Sequence, residues 1–393
     1  MILENVSKRL LSACDLSFKR YMYDDIDFDA RLIVIKGSRG VGKTTLMLQH
    51  LKTTDAQSIY FTLDHIYFTS HRLLDLIEEL YDDGYRLFAV DEVHKYPNWS
   101  TEIKNIYDSY PDIHLVISAS NALDIQRGAA DLSRRADIYE LPGLSFREYL
   151  NFEHDMDIKP IPYDEMIADH VDIAHSLYDT GDIKRRYTAY LKHGYYPFFK
   201  ESKKRYHDRL RSTTNHVIEI DLPPIFSIDY NSIRQLKKLL FLISRISPFT
   251  PNISTLSRDL DIPRNSILRF LDFLSGAGLI HLLKSHRKSD SIMAKPDKIY
   301  LNNTNLCYAH SMTTPDIGSL RETYFFSALS VTESVSTPVK GDFLVNDQHT
   351  IEVGGPSKSF HQLSGMANPI LVKDGIDVGS DGIMPLWIFG LLY

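Results

Sequence analysis

Cysteine is nearly absent from this chain of 393 residues: Cys14 and Cys307 are the two, and they lie far apart. That count excludes a disulfide framework and a cysteine-rich zinc module. Long apolar runs are missing as well. The first residues, MILENVSKRLLSACD, hold no extended hydrophobic stretch before their acidic positions. No segment approaches the roughly 20 apolar residues that cross a bilayer. The reading is a cytoplasmic protein with no membrane partner. An excess of positive charge is also lacking: 44 Lys and Arg stand against 51 Asp and Glu, for a formal net charge of −7. Nucleic acid coating the whole surface is therefore not expected. No fixed-period repeat or low-complexity tract occurs. What is present is an ordinary globular composition, 43% hydrophobic and 24% charged, over a length that asks for two to three domains.

The first ~150 residues alternate strand-like and helix-like segments. Leu32 to Ile35 is a continuous apolar run, SIYFTLD (58–64) reads as a strand, and HRLLDLIEELYDDG (71–84) reads as an amphipathic helix ending at glycine. YRLFAVDE (85–92) and IHLVISAS (113–120) are two more buried strands. Strands separated by helices imply parallel pairing in a doubly wound α/β sheet.

Between the first strand and its helix stands GSRGVGKTT, 37–45. Gly37, Gly42, Lys43 and Thr44 satisfy G-x-x-x-x-G-K-[ST], the loop whose backbone N–H groups turn inward around phosphate oxygens. Gly37, Ser38, Arg39, Gly40, Val41, Gly42, Lys43, Thr44 and Thr45 are the expected ATP contacts. Lys43 would reach the β- and γ-phosphates, and Thr44 would offer its hydroxyl to Mg²⁺. LFAVDE then runs straight into Asp91 and Glu92. An acid at the carboxyl end of a buried strand suits the Mg²⁺ shell, and a second acid after it suits a base for the attacking water. This pair points to hydrolysis rather than binding alone. At the end of IHLVISAS, a polar side chain of the stretch Ser118-Ala119-Ser120-Asn121, with Ser120 and Asn121 the chosen candidates, either touches the γ-phosphate or the water or forms a helix cap or turn. Arg134 and Arg135 either act as a finger on the transferring phosphoryl group, in cis or from another subunit, or pair with Asp131 or Asp137.

The carboxyl-terminal half has its own grammar. SIRQLKKLLFLISRIS (232–247) is a helix, and ISTLSRDLDIPRNSILRFLDFLSGAGLIHLL reads as helix, turn, helix and strand. On the second helix Ile267, Leu271 and Leu274 face inward, leaving Arg264, Asn265 and Arg269 outward. The SHRKSD and KPDK segments form a candidate wing with Lys284, Arg287 and Lys288. Such a unit either contacts DNA or serves as a protein spacer. Between Lys184 and Arg211 there are 10 Lys or Arg residues against Glu201 and Asp208, either a solvated helical face or a phosphate-backbone contact.

GSRGVGKTT, LFAVDEVHKYPNWSTEIKNIYD, LVISASNALDI and LPGLSFREYL together resemble a large bacterial and archaeal family of AAA-type P-loop ATPases. Those proteins join this core to a C-terminal region of unassigned function. YLKHGYYPFF (190–199) is similar to that region's glycine-proline signature. The resemblance implies an α/β P-loop NTPase parallel sheet, then an α-helical and winged-helix part, then a C-terminal α/β restriction-endonuclease-like domain. The expected division is 1–155 for the AAA-type core, 156–228 for a helical linker region, 229–300 for the winged helix and 301–393 for the nuclease-like domain. In that last domain Glu322, Asp342 and Glu352 resemble the metal-binding acids of restriction-type nucleases. The lysine such sites place two residues after the last acid is Gly354 here, and Lys358 replaces it only if its loop folds back. The expected function is an ATP- and Mg²⁺-dependent switch that acts on DNA or a partner protein and does not cut. An ATP-gated nuclease is the alternative, and oligomerisation is compatible with either.

Overall fold

A computed structural model describes residues 2–119, 132, 134–178, 181–226, 228–285, 295–311 and 313–393. Ser120, Asn121, Asp131, Arg287 and Lys288 lie outside the described residues. The chain divides into two compact units, Met1–Gly143 and Leu144–Tyr393. The expected boundary at 155 lies beyond that division, just past a helix over Phe146–His154.

The first unit is a five-stranded sheet in the order β2-β3-β4-β1-β5, with β1 Leu32–Lys36, β2 Ser58–Thr62, β3 Leu87–Asp91, β4 His114–Ala119 and β5 Asp137–Glu140. Every pairing in it is parallel. The continuous apolar runs behave as the composition of a doubly covered sheet requires: Leu32 to Ile35 and Leu87 to Val90 are all buried. Helices α1 Ile2–Ala13, α2 Lys43–Thr53, α3 Leu73–Asp82 and α4 Trp99–Ser109 supply the cover. Helix α1 also blunts the edge strand, since the Ser7 hydroxyl accepts from the Tyr60 N–H at 3.0 Å. The sequence reading missed α1 and β5. The strand β5 is a mostly exposed edge whose DIYE lacks an apolar run.

The HKYPNW block proves to be largely structural. Glu102, nearly buried, accepts from the Leu74 N–H at 2.9 Å and so caps α3. The Tyr96 hydroxyl donates to the same carboxylate at 3.1 Å, and Trp99 packs into the core.

The second unit begins with helices α5 Phe146–His154, α6 Tyr163–Tyr178, α7 Ile183–His193 and α8 Tyr206–His216. Three helices follow, α9 Tyr230–Ile246, α10 Ile253–Leu260 and α11 Arg264–Gly276, and then an antiparallel hairpin of β6 Ile280–Leu283 and β7 Lys298–Leu301. After α12 Thr304–His310 and α13 Ile317–Leu329 comes a five-stranded mixed sheet in the order β12-β11-β10-β9-β8. Its strands are β8 Val335–Ser336, β9 Phe343–Val345, β10 His349–Gly354, β11 Pro369–Lys373 and β12 Ile383–Pro385.

The glycine-proline signature has a packing role in this unit. Fully buried Asn305 accepts from the Tyr195 N–H at 2.9 Å and from the Tyr206 hydroxyl, and donates to the carbonyls of Tyr190 and Leu191. One side chain thereby satisfies the backbone where α7 ends, which a buried turn demands. The LSFREYL block begins with a capping box, the Ser145 hydroxyl accepting from the Glu148 N–H and the Glu148 carboxylate from the Ser145 N–H.

The basic run from Lys184 to Arg211 is mostly consumed by local ion pairs. Lys184 meets Asp377 at 2.9 Å, Lys200 and Lys203 share Glu153, Arg209 meets Glu201, and Arg211 meets Asp208. The solvated-face reading accounts for those cations without a phosphate.

Candidate functional site

The phosphate-type loop leaves β1 at Gly37 and enters α2 at Lys43. Gly40 and Gly42 adopt φ of 88° and 105°, values that side chains other than glycine rarely take. These turns are what let successive N–H groups face one concavity. Lys43 is buried, and its ammonium donates to the carbonyls of Gly37 at 2.9 Å and Ser38 at 3.1 Å. The charge is therefore held over the mouth of the loop by the loop itself.

Strand order explains how Asp91 comes to this loop. The strands β3 and β1 both abut β4, so the carboxyl end of β3 stands two strand spacings, roughly 10 Å, from the loop. Side chains bridge that gap. The Thr44 hydroxyl donates to Asp91 Oδ2 at 2.6 Å, and the Tyr60 hydroxyl donates to the same oxygen at 2.8 Å. On the other oxygen, Asp91 Oδ1 accepts from the Ser118 hydroxyl and from the Glu92 N–H at 3.1 Å. A buried carboxylate is tolerable when donors surround it in this way. Burial and then the Asp91 charge push the Tyr60 phenol well above the usual tyrosine range, which keeps it a donor.

Glu92 follows in the left-handed region at φ 54° and ψ 41°, an uncommon conformation for a glutamate. Glu92 Oε2 lies 3.8 Å from Arg39 Nη1 on the phosphate-type loop and 3.4 Å from Nε2 of buried His94. Thr44 and Asp91 thus form one hydrogen-bonded pair, and Glu92 and Arg39 form an adjacent ion pair.

One residue of this cluster, Tyr60, escaped the sequence reading, and another, Ser118, stood in the polar stretch it named but was not chosen as a contact. Ser118 is the lone polar side chain in the buried part of LVISAS, and its hydroxyl donates to Asp91. Tyr60 carries no comparable signal, since an aromatic in a strand reads as core.

Arg134 and Arg135 stand elsewhere. In the pairing of β1 with β5, Ile33 lies beside Asp137 and Lys36 beside Glu140. Arg135 therefore precedes β5 at the amino-terminal edge of the sheet, while the loop leaves the carboxyl-terminal edge, roughly 20 Å away at 3.3 Å per residue. Arg135 pairs with Asp108 near the end of α4, at 2.9 and 3.0 Å, and Arg134 is exposed. Among the described residues the partner of Arg135 is Asp108, Asp131 lies outside the described residues, and the register sets Arg135 far from its own loop.

A second cluster lies in the carboxyl-terminal unit. Glu322 on α13, Asp342 just before β9 and Glu352 on β10 converge as expected, but with two lysines among them. Lys298 on β7 meets Glu322 at 3.1 Å and Asp342 at 3.5 Å, and the Tyr300 hydroxyl donates to Glu322 at 2.9 Å. Burial opposes the charge of Lys298, yet Glu322 and Asp342 outweigh it and hold its pKa above the ordinary lysine value. Burial raises Glu352, whose carboxylate meets the Lys358 ammonium at 2.5 Å. The loop after β10 does fold back: a side chain on Gly354 would run into Lys358, 2.8 Å from its Cβ. The expectation that Gly354 leaves this cluster without an ammonium is corrected. Among the described residues, no three His, Cys, Asp or Glu side chains assemble as a metal-ligand set. Lys298, expected on a wing, points into the acids instead.

On α11, Ile267, Leu271 and Leu274 are buried, while Arg264, Asn265 and Arg269 are exposed, as their spacing requires. Among the described residues no helix is long and apolar enough to cross a membrane.

An uncharacterized protein of Methanocaldococcus jannaschii is 24% identical over 430 residues, an alignment spanning 97% of this chain and 89% of that protein. Among solved structures, a Walker-type ATPase of Pyrococcus abyssi aligns at 12% identity and TM-score 0.43, over 75% of this chain and 95% of its own. The RuvB Holliday junction branch migration motor of Thermotoga maritima aligns at 17% identity and TM-score 0.28, over 72% and 90%. Residues 184–316 match the model of a domain of unknown function, DUF8612. Residues 29–150, which hold the loop, Asp91 and Glu92, match the family model of an AAA domain.

Proposed function

We propose that the chain is an ATP-hydrolysing switch whose carboxyl-terminal unit engages DNA or a partner protein. The observation that carries the reading is the Thr44–Asp91 hydrogen bond, which sets a hydroxyl and a carboxylate together beside the loop that holds Lys43. Two oxygen donors of this kind suit a hard, octahedral cation, so Thr44 and Asp91 are the residues that would hold Mg²⁺. When bound, Mg²⁺ supplies charge neutralisation for the phosphates. Lys43 neutralises the β- and γ-phosphates, and the N–H groups of 37–45 fix their orientation. Glu92, adjacent to Asp91 and in contact with Arg39 and His94, is the base that takes a proton from water. Its ion pair with Arg39 links that base to the phosphate loop. Arg134 and Arg135 serve a neighbouring copy rather than their own loop. The helices and hairpin of 229–300 are read as a winged helix and 301–393 as a nuclease-like domain, after a core of 1–155 and a helical region of 156–228. The Lys298 ammonium neutralises Glu322 and Asp342, which supports a scaffold that does not cleave, whereas Lys358 folded back onto Glu352 is the stand-in lysine that the nuclease alternative requires.

Phosphate release and nucleotide affinity test this together. Lys43→Ala should lower affinity at least tenfold, and Glu92→Gln should retain binding while turnover falls on the order of 10²-fold or more. Supercoiled plasmid added to the same reactions with Mg²⁺ should stay intact. Unchanged affinity in the lysine variant would sink the phosphate-loop reading, and nicking lost in Asp342→Ala would establish the nuclease alternative.

A further inference from the structure

Arg20 precedes every motif discussed above and is almost fully buried, at 5% exposure. Its guanidinium spans two segments of the first unit. Nη1 donates to the Val41 carbonyl inside the phosphate-type loop at 2.6 Å. Nη2 donates to the carbonyls of Pro142 at 2.8 Å and Gly143 at 2.9 Å, the last residues before the chain enters the second unit.

The same two segments also meet directly. The Leu141 N–H donates to the Lys36 carbonyl at 2.8 Å, one residue before the loop. Gly37 lies so close to the Leu141 carbonyl oxygen that an added Cβ would collide with it. The loop therefore rests on Leu141–Gly143 at both its ends, through backbone at Lys36 and Gly37 and through Arg20 at Val41.

The chemistry of the peptide group makes this contact directional. In a trans peptide the carbonyl and the following N–H point opposite ways. Arg20 holds the Val41 carbonyl backward, so the Gly42 N–H of the same peptide is turned the other way, to the side where a phosphate cradle needs it. Any adjustment of that peptide on anion binding pulls on the guanidinium. Because the guanidinium is a rigid planar fork, the pull reaches the Pro142 and Gly143 carbonyls. A flexible ammonium would transmit less.

We propose that Arg20 is a positioning residue that ties nucleotide occupancy of the phosphate loop to the order of the exit segment Leu141–Gly143. The inference rests on the nucleotide-binding reading above and adds the route by which that site is read out. It predicts that nucleotide stiffens the exit segment only when Arg20 is in place.

Hydrogen exchange of the peptide spanning 139–146, with and without a non-hydrolysable ATP analogue and Mg²⁺, tests it. In wild type the analogue should slow exchange at the amides of Leu141, Gly143 and Leu144 by roughly tenfold. Arg20→Met should lose this slowing while analogue binding, followed separately, falls only a few-fold. Arg20→Lys should recover part of it. If Arg20→Met does not fold, the lysine variant alone is decisive: reduced slowing supports the tie, and undiminished slowing overturns it. A wild-type chain that binds the analogue without slowing overturns the tie alone, whereas one that binds no analogue overturns the nucleotide reading as well.

Discussion

Asp91, Thr44, Tyr60 and Ser118 show how far single residues can be read. The sequence placed Thr44 by its motif and Asp91 by its position at a strand end, because both follow from chemistry that repeats wherever phosphate is held. Tyr60 and Ser118 touch Asp91 only because β2, β3 and β4 lie side by side, and that adjacency is not local information. Arg135 makes the point in reverse. It sat close enough in sequence to act on the phosphate, yet the parallel register carries it to the far edge of the sheet, paired with Asp108. If Arg134 or Arg135 supports hydrolysis, it does so on another copy. Turnover per chain should then rise with protein concentration in wild type. Arg134→Ala and Arg135→Ala should reduce that rise, with melting temperature changed little because surface ion pairs contribute about 1 kcal/mol or less. A rate per chain that is flat over the accessible concentration range would exclude the trans role.

At the scale of elements, α11 is the most legible part of the second unit. Its apolar residues recur at helical spacing and are buried, and its cations stay outside, so one amphipathic pattern decides both faces. The hairpin after it was read for strands and turns but not for aim. Lys298 joins the acid cluster because β7 runs beside α13 and β9, a long-range arrangement invisible in KPDK. A DNA contact through α11 should therefore depend on the exposed cations alone. Replacing Arg264 and Arg269 by alanine should weaken duplex binding by about tenfold at low salt and lower the slope of log affinity against log salt by about two, since each phosphate contact releases a counterion. Binding that is absent at low salt in wild type, or indifferent to both substitutions, would make this helix a protein-contact or purely structural element.

At the scale of the whole molecule, three half-buried histidines set a pH dependence. His50, His193 and His310 are each lowered from the ordinary value to about 4, chiefly by burial, with His114 and Lys19 adding to it at His50, Lys203 and His207 at His193, and Arg211 at His310. On acidification the unfolded chain takes up these protons near pH 6.5, while the folded chain resists until about 4. Stability present above pH 6.5 is therefore lost as pH falls through that interval. His310 accepts or donates to Thr214 at 3.2 Å, a contact glutamine can keep. His310→Gln should flatten the decline, by up to about 3 kcal/mol between pH 6.5 and 4. Calorimetric melting across that range checks this, and a wild-type midpoint that does not fall from pH 6.5 to 4 would refute it.

By itself the sequence determined the elements whose signals are local: the buried strands of the first unit, the glycines and lysine of the loop, the acid at the end of β3 and the two-faced helix α11. Those follow from periodicity, turn chemistry and the charge that phosphate demands, which act between residues a few positions apart. Only the tertiary structure decided which strands are neighbours, and so that Ser118 and Tyr60 hold Asp91, that Arg135 faces away from its own loop, that Lys298 and Lys358 sit among three carboxylates, and that Arg20 spans the loop and the exit from the first unit. Each of these depends on strand order, register or a loop folding back. A side chain's partners at long range are fixed by packing, which no single stretch of the chain contains.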